Sequence, residues 1–549
     1  MSGGATANLG SVHRAAVEPS AAEMRLIIAA SSAGTVFEWY DFFIYGTLAG
    51  IIGKTFFPSG NETLQTLLVW AGFAVGFGFR PLGAILFGFL GDKLGRKYTF
   101  LVTVLLMGAA TAGVGLIPSA ANIGLAAPVL VLLLRIAQGL ALGGEYGGAA
   151  IYVAEHAAPG RRGYFTSYIQ ASVVGGFVLS LIVVLASKLL MGPEIWAAWG
   201  WRVSFLMSLA LLAISLWMRL KLSESPVFLA MREEGEIAGN PFVESFTYPG
   251  NRKRIFVALF GIAAGLTVIY YTAMFSALSF LKGPMRMADT PAELLVGIAA
   301  LVGTVFFIMA GALSDRIGRK KPIVIGYALV LLTLFPIYWV MGSVANPGLS
   351  AAAARAPVVV SGMQCTYNPF ASEQQSDCGK LLSDLTTTGV PYMRAKAPGL
   401  GLTVAGQALP IDRYPFADKA ARAKLLQQWL GDAGYDLAKV TPSAGRVVIL
   451  MGALLALMAL SGATFGPVAA LLTEMFPAQI RYSSMSIPYH IGTGYFGGFL
   501  PLIASYIVAR TGDPYSGLWY TWGVVAMALA VSMWGLKDEL PREFSDDVG

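Results

Sequence analysis

Two ten-residue segments decide the fold of this 549-residue chain, because they repeat one pattern at two distant places. Residues 88–97 read GFLGDKLGRK and residues 311–320 read GALSDRIGRK, so both follow the pattern G-x-L-x-D-x-x-G-R-K. The second copy begins 223 positions after the first, and each copy lies between two long apolar stretches. A motif that returns at equivalent places indicates a duplicated architecture.

The composition of the chain is typical of a membrane protein. Hydrophobic residues make up 56% and charged residues 13%, with a mean hydropathy of +0.65, whereas a soluble domain carries about 25% charged residues. The apolar runs do not alternate with polar residues, which excludes a membrane β-barrel. With two Cys and three His, no metal or haem centre built on these ligands is expected. Basic loops account for the net charge of +7 without a nucleic-acid partner.

Twelve apolar stretches are long enough to cross a lipid bilayer as helices. We place them at residues 26–53, 64–90, 98–118, 126–153, 164–190, 201–219, 255–281, 292–313, 322–343, 446–473, 483–509 and 515–536. The short loops on one side carry 16 Lys and Arg residues and those on the other side carry six. This imbalance places both termini in the cytoplasm, and the polar first residues contain no signal peptide.

The spans form two pseudo-symmetric six-helix halves of an all-α membrane protein. A weaker pair of landmarks, Glu155 and Glu474, is 319 positions apart, which exceeds the 223 of the main repeat by 96. Only a polar insert between spans 9 and 10 has room for this excess, and the topology places the insert outside. The predicted divisions are a cytoplasmic tail 1–24, an N-terminal bundle 25–220, a cytoplasmic central loop 221–252, a C-terminal bundle 253–343 and 446–536, the periplasmic insert 344–445 and a cytoplasmic tail 537–549.

The insert contains both cysteines of the chain, Cys365 and Cys378. An even pair in a compartment that permits oxidation predicts a disulfide that closes a small loop, with a redox role as the alternative. The pattern of residues 417–430 predicts a helix and that of residues 357–360 predicts a strand. The insert contains no His and no catalytic set of Ser, His and Asp, so an enzyme is not expected.

The two halves with their paired motif resemble the major facilitator superfamily. Four further segments are similar to those of its metabolite:proton symporters, the group of shikimate, α-ketoglutarate, citrate and proline/betaine permeases. They are GTVFEWYDFFIYG at 34–46, GFRPLG at 78–83, RIAQG at 135–139 and GGEYGG at 143–148. The resemblance implies a multi-pass protein of the bacterial inner membrane that imports a small polar metabolite. It also implies a monomer that uses the proton gradient and no cofactor.

The resemblance assigns the repeated loop to a conformational latch on the cytoplasmic side, away from the substrate. An Asp there can accept hydrogen bonds from a helix N-terminus or pair with Arg, and Gly permits close packing. The alternative is a basic loop that only sets the topology. The predicted latch residues are Gly88, Asp92, Gly95, Arg96, Lys97 and Glu145 in the first half, and Asp315, Gly318, Arg319 and Lys320 in the second.

Four ionisable groups at membrane depth are candidates for the transport site, because such groups are costly and usually paired or functional. Glu38 and Asp41 are three residues apart on one helix face. Two close carboxylates do not easily both ionise, so either one is a candidate proton site. Arg80 or Arg135 could clamp a substrate carboxylate. The alternative is that the four charges neutralise one another and hold helices together.

Polar residues of other spans complete the candidate site. Gln138 lies in the span 4 motif, Tyr270 and Tyr271 lie in span 7, and His490 lies in span 11. Adjacent residues of a helix point about 100° apart, so only one of the two tyrosines is expected to face a cavity. His490 is a candidate for proton coupling because His titrates near neutral pH, with hydrogen-bonded packing as the alternative.

We expect the substrate to be an organic acid, because arginines at membrane depth favour anions. The alternatives are a proline/betaine-type zwitterion, a proton-antiport exporter and a transporter-derived receptor. Exporters commonly move lipophilic cations, and the membrane-depth carboxylates favour flux over mere binding. The proline/betaine branch is recognised in part by a long C-terminal coiled coil. This chain ends at Gly549, soon after the last span, which disfavours osmosensing but leaves a zwitterionic substrate open.

Overall fold

Apolar α-helices make up most of the computed structural model, which describes residues 21–538 except 60, 95, 145, 221–240, 364, 478 and 479. Nine stretches of these described residues are long and apolar enough to cross a membrane. One of them, Arg162–Trp217, runs through two consecutive helices. The predicted helical membrane fold is confirmed, and the count of twelve spans stays a prediction.

The N-terminal half consists of helices that satisfy their own backbone hydrogen bonds, as a bilayer requires. They are α1 (Ala21–Thr47), α2 (Ala49–Phe56), α3 (Glu62–Gly78), α4 (Arg80–Leu94), α5 (Arg96–Leu116), α6 (Ala120–Ile123), α7 (Ala126–Gly143), α8 (Tyr146–His156), α9 (Arg162–Ile195) and α10 (Trp201–Leu220). Of the predicted central loop 221–252, residues 221–240 lie outside the described part of the chain.

The first part of the C-terminal half contains two short π-helical segments, Val257–Ala263 and Thr272–Ser276. The α-helices around and after them are α11 (Pro241–Thr247), α12 (Asn251–Phe256), α13 (Ala264–Tyr271), α14 (Ala277–Lys282), α15 (Asp289–Ile317) and α16 (Lys320–Ala345). Single-turn π segments inside helices are frequent at functional sites, and Thr272–Ser276 directly follows the two candidate tyrosines.

The insert is a small α/β unit between α16 and the next long helix. Its elements are α17 (Pro347–Arg355), β1 (Val358–Ser361), α18 (Asp377–Thr388), β2 (Tyr392–Ala395), β3 (Gly401–Val404), β4 (Gln407–Ala408) and α19 (Lys419–Asp432). The strand order is β2-β1-β3-β4, and only the β1–β2 pair is parallel. The predicted strand and helix of the insert are confirmed as β1 and α19, whereas the other three strands were not predicted.

The insert has its own hydrophobic core, and the chain then returns to the C-terminal half. Leu381, Leu385, Leu402 and Leu430 are buried in that core. The structure links Cys365 to Cys378 in a disulfide. The remaining helices of the half are α20 (Ala444–Phe465), α21 (Val468–Met475), α22 (Arg481–Ile491), α23 (Leu500–Thr511) and α24 (Leu518–Gly535), with a π-helical segment at Gly492–Gly498.

Glycines bring α3 and α4 into backbone contact with α7. A Cβ added to Gly139 would stand 1.9 Å from the carbonyl oxygen of Gly76, and one added to Gly143 would stand 2.1 Å from that of Arg80. Helices α4 and α7 are equally close at Gly83 of α4, where an added Cβ would lie 2.0 Å from a backbone oxygen of α7. This close approach places Arg80 and Arg135 in the same part of the N-terminal half.

Candidate functional site

Arg135 of α7 is fully buried inside the N-terminal half. Its Nη1 donates hydrogen bonds to Oε1 of Gln138 (2.7 Å) and to the backbone oxygen of Phe42 (3.4 Å). The guanidinium lies 4.1 Å from the ring centroid of Phe42 and 4.5 Å from that of Tyr45. Its Nε and Nη2 have no hydrogen-bond partner among the described residues. These two atoms form the edge through which Arg binds a carboxylate with two parallel hydrogen bonds.

A chain of hydrogen bonds connects Arg135 to the backbone of Asp41. Gln138 donates from Nε2 to the hydroxyl of Thr111 (2.7 Å), and that hydroxyl approaches the backbone oxygen of Asp41 at 3.4 Å. Both Asp41 and Glu38 are buried, with 6% and 8% of their surface exposed. Oδ1 of Asp41 accepts no hydrogen bond within the described part of the chain. The side chain of Asp41 thus keeps a polar atom available for a proton.

Arg80 lies at the start of α4, directly after the helix break at Phe79. Its guanidinium is 5.2 Å from the ring centroid of Trp39 and 5.1 Å from that of Phe77. His490 of α22 is fully buried and close enough for the charge of Arg80 to act on its ring. Neither ring nitrogen of His490 has a hydrogen-bond partner among the residues described. Arg80 and His490, one from each half, are therefore both buried and near each other.

Tyr270 and Tyr271 both face the N-terminal half, although helical spacing favours only one of them. The ring centroid of Tyr270 is 6.3 Å from that of Phe43 and 5.6 Å from that of Phe465. The ring of Tyr271 is 6.2 Å from Phe43 and 5.5 Å from Phe77. Both hydroxyl groups are buried and have no hydrogen-bond partner within the described residues. They add two polar groups to the same region.

Aromatic rings close this region on the side of the insert. Phe275 of the C-terminal half inserts among Phe43, Phe73 and Phe177 of the other half, with ring centroids 5.3, 5.5 and 5.1 Å apart. Gly46 leaves the necessary room, because an added Cβ would lie 2.7 Å from the Phe275 ring. We call these four rings the aromatic plug. Aromatic pairs at such distances stabilise an interface beyond their buried area.

Ion pairs close the opposite side, which we call the latch side. Both carboxylate oxygens of Asp315 accept backbone hydrogen bonds at the start of α9, from Gly163 and Tyr164, each at 2.8 Å. Arg319 donates to Asp315 (2.6 Å) and to both carboxylate oxygens of Glu474 (3.0 and 2.9 Å). A carboxylate at a helix N-terminus is favourable, so this cluster holds the two halves together.

The contacts of Arg319 also raise its pKa. Burial lowers the pKa of Arg319, but its hydrogen bonds and charge interactions with Glu474 and Asp315 outweigh burial and raise that pKa.

The other two predicted latch residues of the second half, Gly318 and Lys320, have separate roles. Gly318 ends α15 with φ of 90°, a backbone conformation that favours Gly. Lys320 donates to two backbone oxygens at the end of α24 and so holds the C-terminal half together.

A second contact on the latch side joins Arg481 to Glu155 at 3.2 Å.

The first copy of the motif lies largely outside the part of the chain that the structure describes. Gly88, Asp92, Arg96 and Lys97 lie in α4 and α5, but their surroundings are outside the described part, and Gly95 and Glu145 lie outside it entirely.

Comparisons with known proteins identify the family. The fold is similar to that of the proton:xylose symporter XylE, a member of the major facilitator superfamily, with a TM-score of 0.58 and 16% identity over 95% of this chain and 98% of that one. Residues 26–247 match the family described as sugar (and other) transporter. An inner membrane metabolite transport protein of Escherichia coli is 36% identical and covers 67% of this chain and 82% of that protein.

The chain belongs to the major facilitator superfamily of metabolite transporters. The relatives that it matches are named as transporters. Two other relatives are named after substrates. The proline/betaine transporter of Salmonella typhimurium is 35% identical over 58% of this chain, and the match spans 65% of its length. The shikimate transporter of Escherichia coli is 36% identical over 56% of this chain and 70% of that protein.

Three residues of this region carried no signal in the sequence. Phe275 and Thr111 are an aromatic and a hydroxyl residue inside apolar spans, where such residues are common. Gly76 is the third, because a Cβ added at this position would lie only 3.1 Å from Nη2 of Arg135. Only the packing of α3 on α7 shows that this Gly makes room for the guanidinium.

Proposed function

We propose that the protein is a proton-coupled importer of a small organic acid that works by alternating access. The observation that carries the proposal is a buried region of the N-terminal half that faces Tyr270 and Tyr271 of the other half. Among the described residues, Nε and Nη2 of Arg135 and Oδ1 of Asp41 have no hydrogen-bond partner there. The aromatic plug lies on one side of this region and the latch side on the other. Polar groups buried without partners are costly, so a region that keeps several of them is well suited to bind a polar solute.

Binding of the acid would use Arg135 first. The Nη1 atom is held by Gln138 and Phe42, which orients the guanidinium, while the Nε and Nη2 edge remains for a substrate carboxylate. The hydroxyl groups of Tyr270 and Tyr271 supply donors from the other half. A solute that contacts both halves favours the closed arrangement, because its binding energy is gained only when the two halves meet.

Proton coupling would use Asp41, assisted by Glu38. Asp41 is buried, and its backbone is connected to Arg135 through Thr111 and Gln138, so its carboxyl group lies in the same buried part of the N-terminal half as the substrate-binding guanidinium. In a low-dielectric interior charge interactions are strong. His490 is the second candidate, because its ring lies near Arg80 and has no hydrogen-bond partner within the described residues. No cofactor is required, since the proton gradient supplies the energy.

We further propose a location in the bacterial inner membrane, with both termini in the cytoplasm and the insert in the periplasm. The excess of Lys and Arg in the loops of one side supports this orientation. The latch side then faces the cytoplasm, and the aromatic plug faces the periplasm. Members of the superfamily usually act as monomers, and we propose the same for this chain.

A zwitterion such as proline or betaine is the second candidate substrate. The buried carboxylates of Asp41 and Glu38 would suit a cationic nitrogen. The names of the proline/betaine relatives favour the same class. Both candidates share a carboxylate, so both require Arg135.

Uptake into proteoliposomes tests the proposal. The purified protein would receive radiolabelled dicarboxylates, shikimate-like hydroxy acids, aromatic acids, proline and betaine, with and without an inward proton gradient. We expect accumulation of one acid only with the gradient. Accumulation of a zwitterion alone would replace the substrate class, and binding without flux, or export only, would refute the proposed import.

A further inference from the structure

The insert is attached to the C-terminal half through the loop between α14 and α15. Arg286 donates from Nη1 to the backbone oxygen of Thr388 at 2.8 Å. Met287 of this loop forms a parallel β-bridge with Val440. Its two hydrogen bonds run from the backbone nitrogen of Ala288 to the oxygen of Val440 (2.8 Å) and from the nitrogen of Val440 to the oxygen of Arg286 (2.9 Å). These contacts do not depend on the position of the N-terminal half.

A second attachment joins the insert to α23 of the same half. Arg510 donates to the backbone oxygen of Tyr367, and Arg394 of the insert donates to the backbone oxygen of Arg510. The ring of Phe370 stacks on that of Tyr506, with centroids 5.5 Å apart. Two separate attachment points fix the insert as one body with the C-terminal half.

The insert also reaches across to the N-terminal half, at the start of α3. Asn61 donates from Nδ2 to the backbone oxygen of Ala371 at 3.2 Å. Its Oδ1 meanwhile caps α3 by accepting from the backbone nitrogens of Thr63 and Leu64. Ala371 lies in the loop that the disulfide between Cys365 and Cys378 closes. The segment that crosses between the halves is therefore held in a fixed shape.

An ion-pair network runs beside this crossing. Glu293 of α15 pairs with Lys282 of the same half (2.7 Å) and approaches Lys188 of the N-terminal half at 4.0 Å. One turn earlier on α15, Asp289 pairs with Lys439 of the insert at 2.9 Å. The insert, the C-terminal half and the N-terminal half thus share one charged edge above the aromatic plug.

We propose that the insert is a clamp that stabilises closure of the transporter on the insert side. It moves with the C-terminal half, and the hydrogen bond that Asn61 donates to Ala371 of the insert forms only when the two halves meet on that side. Opening breaks this bond and separates Lys188 from Glu293, whereas the attachments to the loop before α15 and to α23 stay. The clamp rests on the alternating access proposed above.

Two asparagines allow a matched test. Asn346 caps α17 by accepting from Leu349 (3.0 Å) and donates from Nδ2 to the backbone oxygen of Met285 at 3.2 Å. It performs the same two tasks as Asn61, but it joins the insert to the half that carries it. Asp is as good a helix cap as Asn and cannot donate when ionised. Asn61→Asp therefore removes the crossing bond, and Asn346→Asp is the control.

Distances between spin labels measure the state of the clamp in the full-length protein. Both native cysteines form the disulfide, so introduced cysteines are the free thiols available for labelling. The exposed positions are Leu125 in the N-terminal half, Ser343 in the C-terminal half and Gln407 in the insert. We expect two distances for the pairs 125–407 and 125–343, and one distance for the pair 343–407.

For the pair 125–407, Asn61→Asp should increase the ratio of the population at the long distance to that at the short distance. The expected increase is about fivefold, the change in the equilibrium that corresponds to the loss of one hydrogen bond. Asn346→Asp should leave this ratio unchanged. An unchanged ratio in Asn61→Asp, an equal increase in Asn346→Asp, or two distances for the pair 343–407 would overturn the clamp. A single 125–343 distance with and without substrate would instead refute alternating access itself, and the clamp with it.

Discussion

Replacement of Gly139 by Ala tests whether the close contact of α3 and α7 positions the binding arginine. The new Cβ would lie 1.9 Å from the carbonyl oxygen of Gly76, and Cβ contacts below 3.0 Å are essentially never seen. The two helices must therefore separate by about 1 Å. Arg135 lies one turn before Gly139 on α7, so its guanidinium moves relative to Phe42. We expect a loss of about 1–3 kcal/mol of stability from overpacking and at least a tenfold loss of transport.

Thermal unfolding in detergent and uptake into proteoliposomes measure these two effects. The control is Gly452→Ala in α20, because no atom of the described residues lies within 4 Å of the added Cβ at that position. Ala is favoured over Gly in a helix by roughly 0.5–1 kcal/mol, so the control should be unchanged or slightly more stable. If Gly139→Ala kept the melting temperature and the uptake of the unmodified protein, the close contact of α3 with α7 would not position Arg135.

Three further changes test other parts of the account. Arg319→Gln leaves Asp315 and Glu474 without their shared cation, so the latch side should open more often. This is measured as faster alkylation of a cysteine introduced by Ser167→Cys, a buried position on that side, and an unchanged rate would contradict the latch. Replacing both native cysteines by Ser should cost about 3 kcal/mol of insert stability, seen as faster proteolysis of the insert, and equal proteolysis would contradict this role. Arg135→Lys keeps the charge but loses the two-point edge, so the substrate KM should rise about tenfold or more, and an unchanged KM would exclude carboxylate binding there.

The membrane fold could be predicted from the sequence because the bilayer restricts the possible structures. Apolar runs of this length form helices in a membrane, and the repeated motif identifies equivalent loops in the two halves. The contacts of Asp315 and Arg319 agree with the two roles expected for them, a helix N-terminus and an ion pair. The disulfide of the insert could also be predicted, because the chain has only two cysteines.

The partners of the buried charges could not be predicted, because they depend on side-chain packing. Arg135 binds an amide, a backbone oxygen and aromatic rings, and it forms no ion pair with Asp41 in the described structure. The aromatic plug was equally invisible, because Phe275 resembles any other apolar residue of a span. Three short strands of the insert escaped for a similar reason, since β2, β3 and β4 are two to four residues long.

Proton coupling through Asp41 is the central claim, and Asp41→Asn tests it most directly. Asn is nearly the same size, so the packing around Thr111 and Arg135 should persist, but the amide cannot carry the transported proton. The measurement compares accumulation driven by a proton gradient with exchange of labelled for unlabelled substrate at equal pH. We predict that Asp41→Asn loses accumulation and retains exchange. Full accumulation in this variant would contradict the claim.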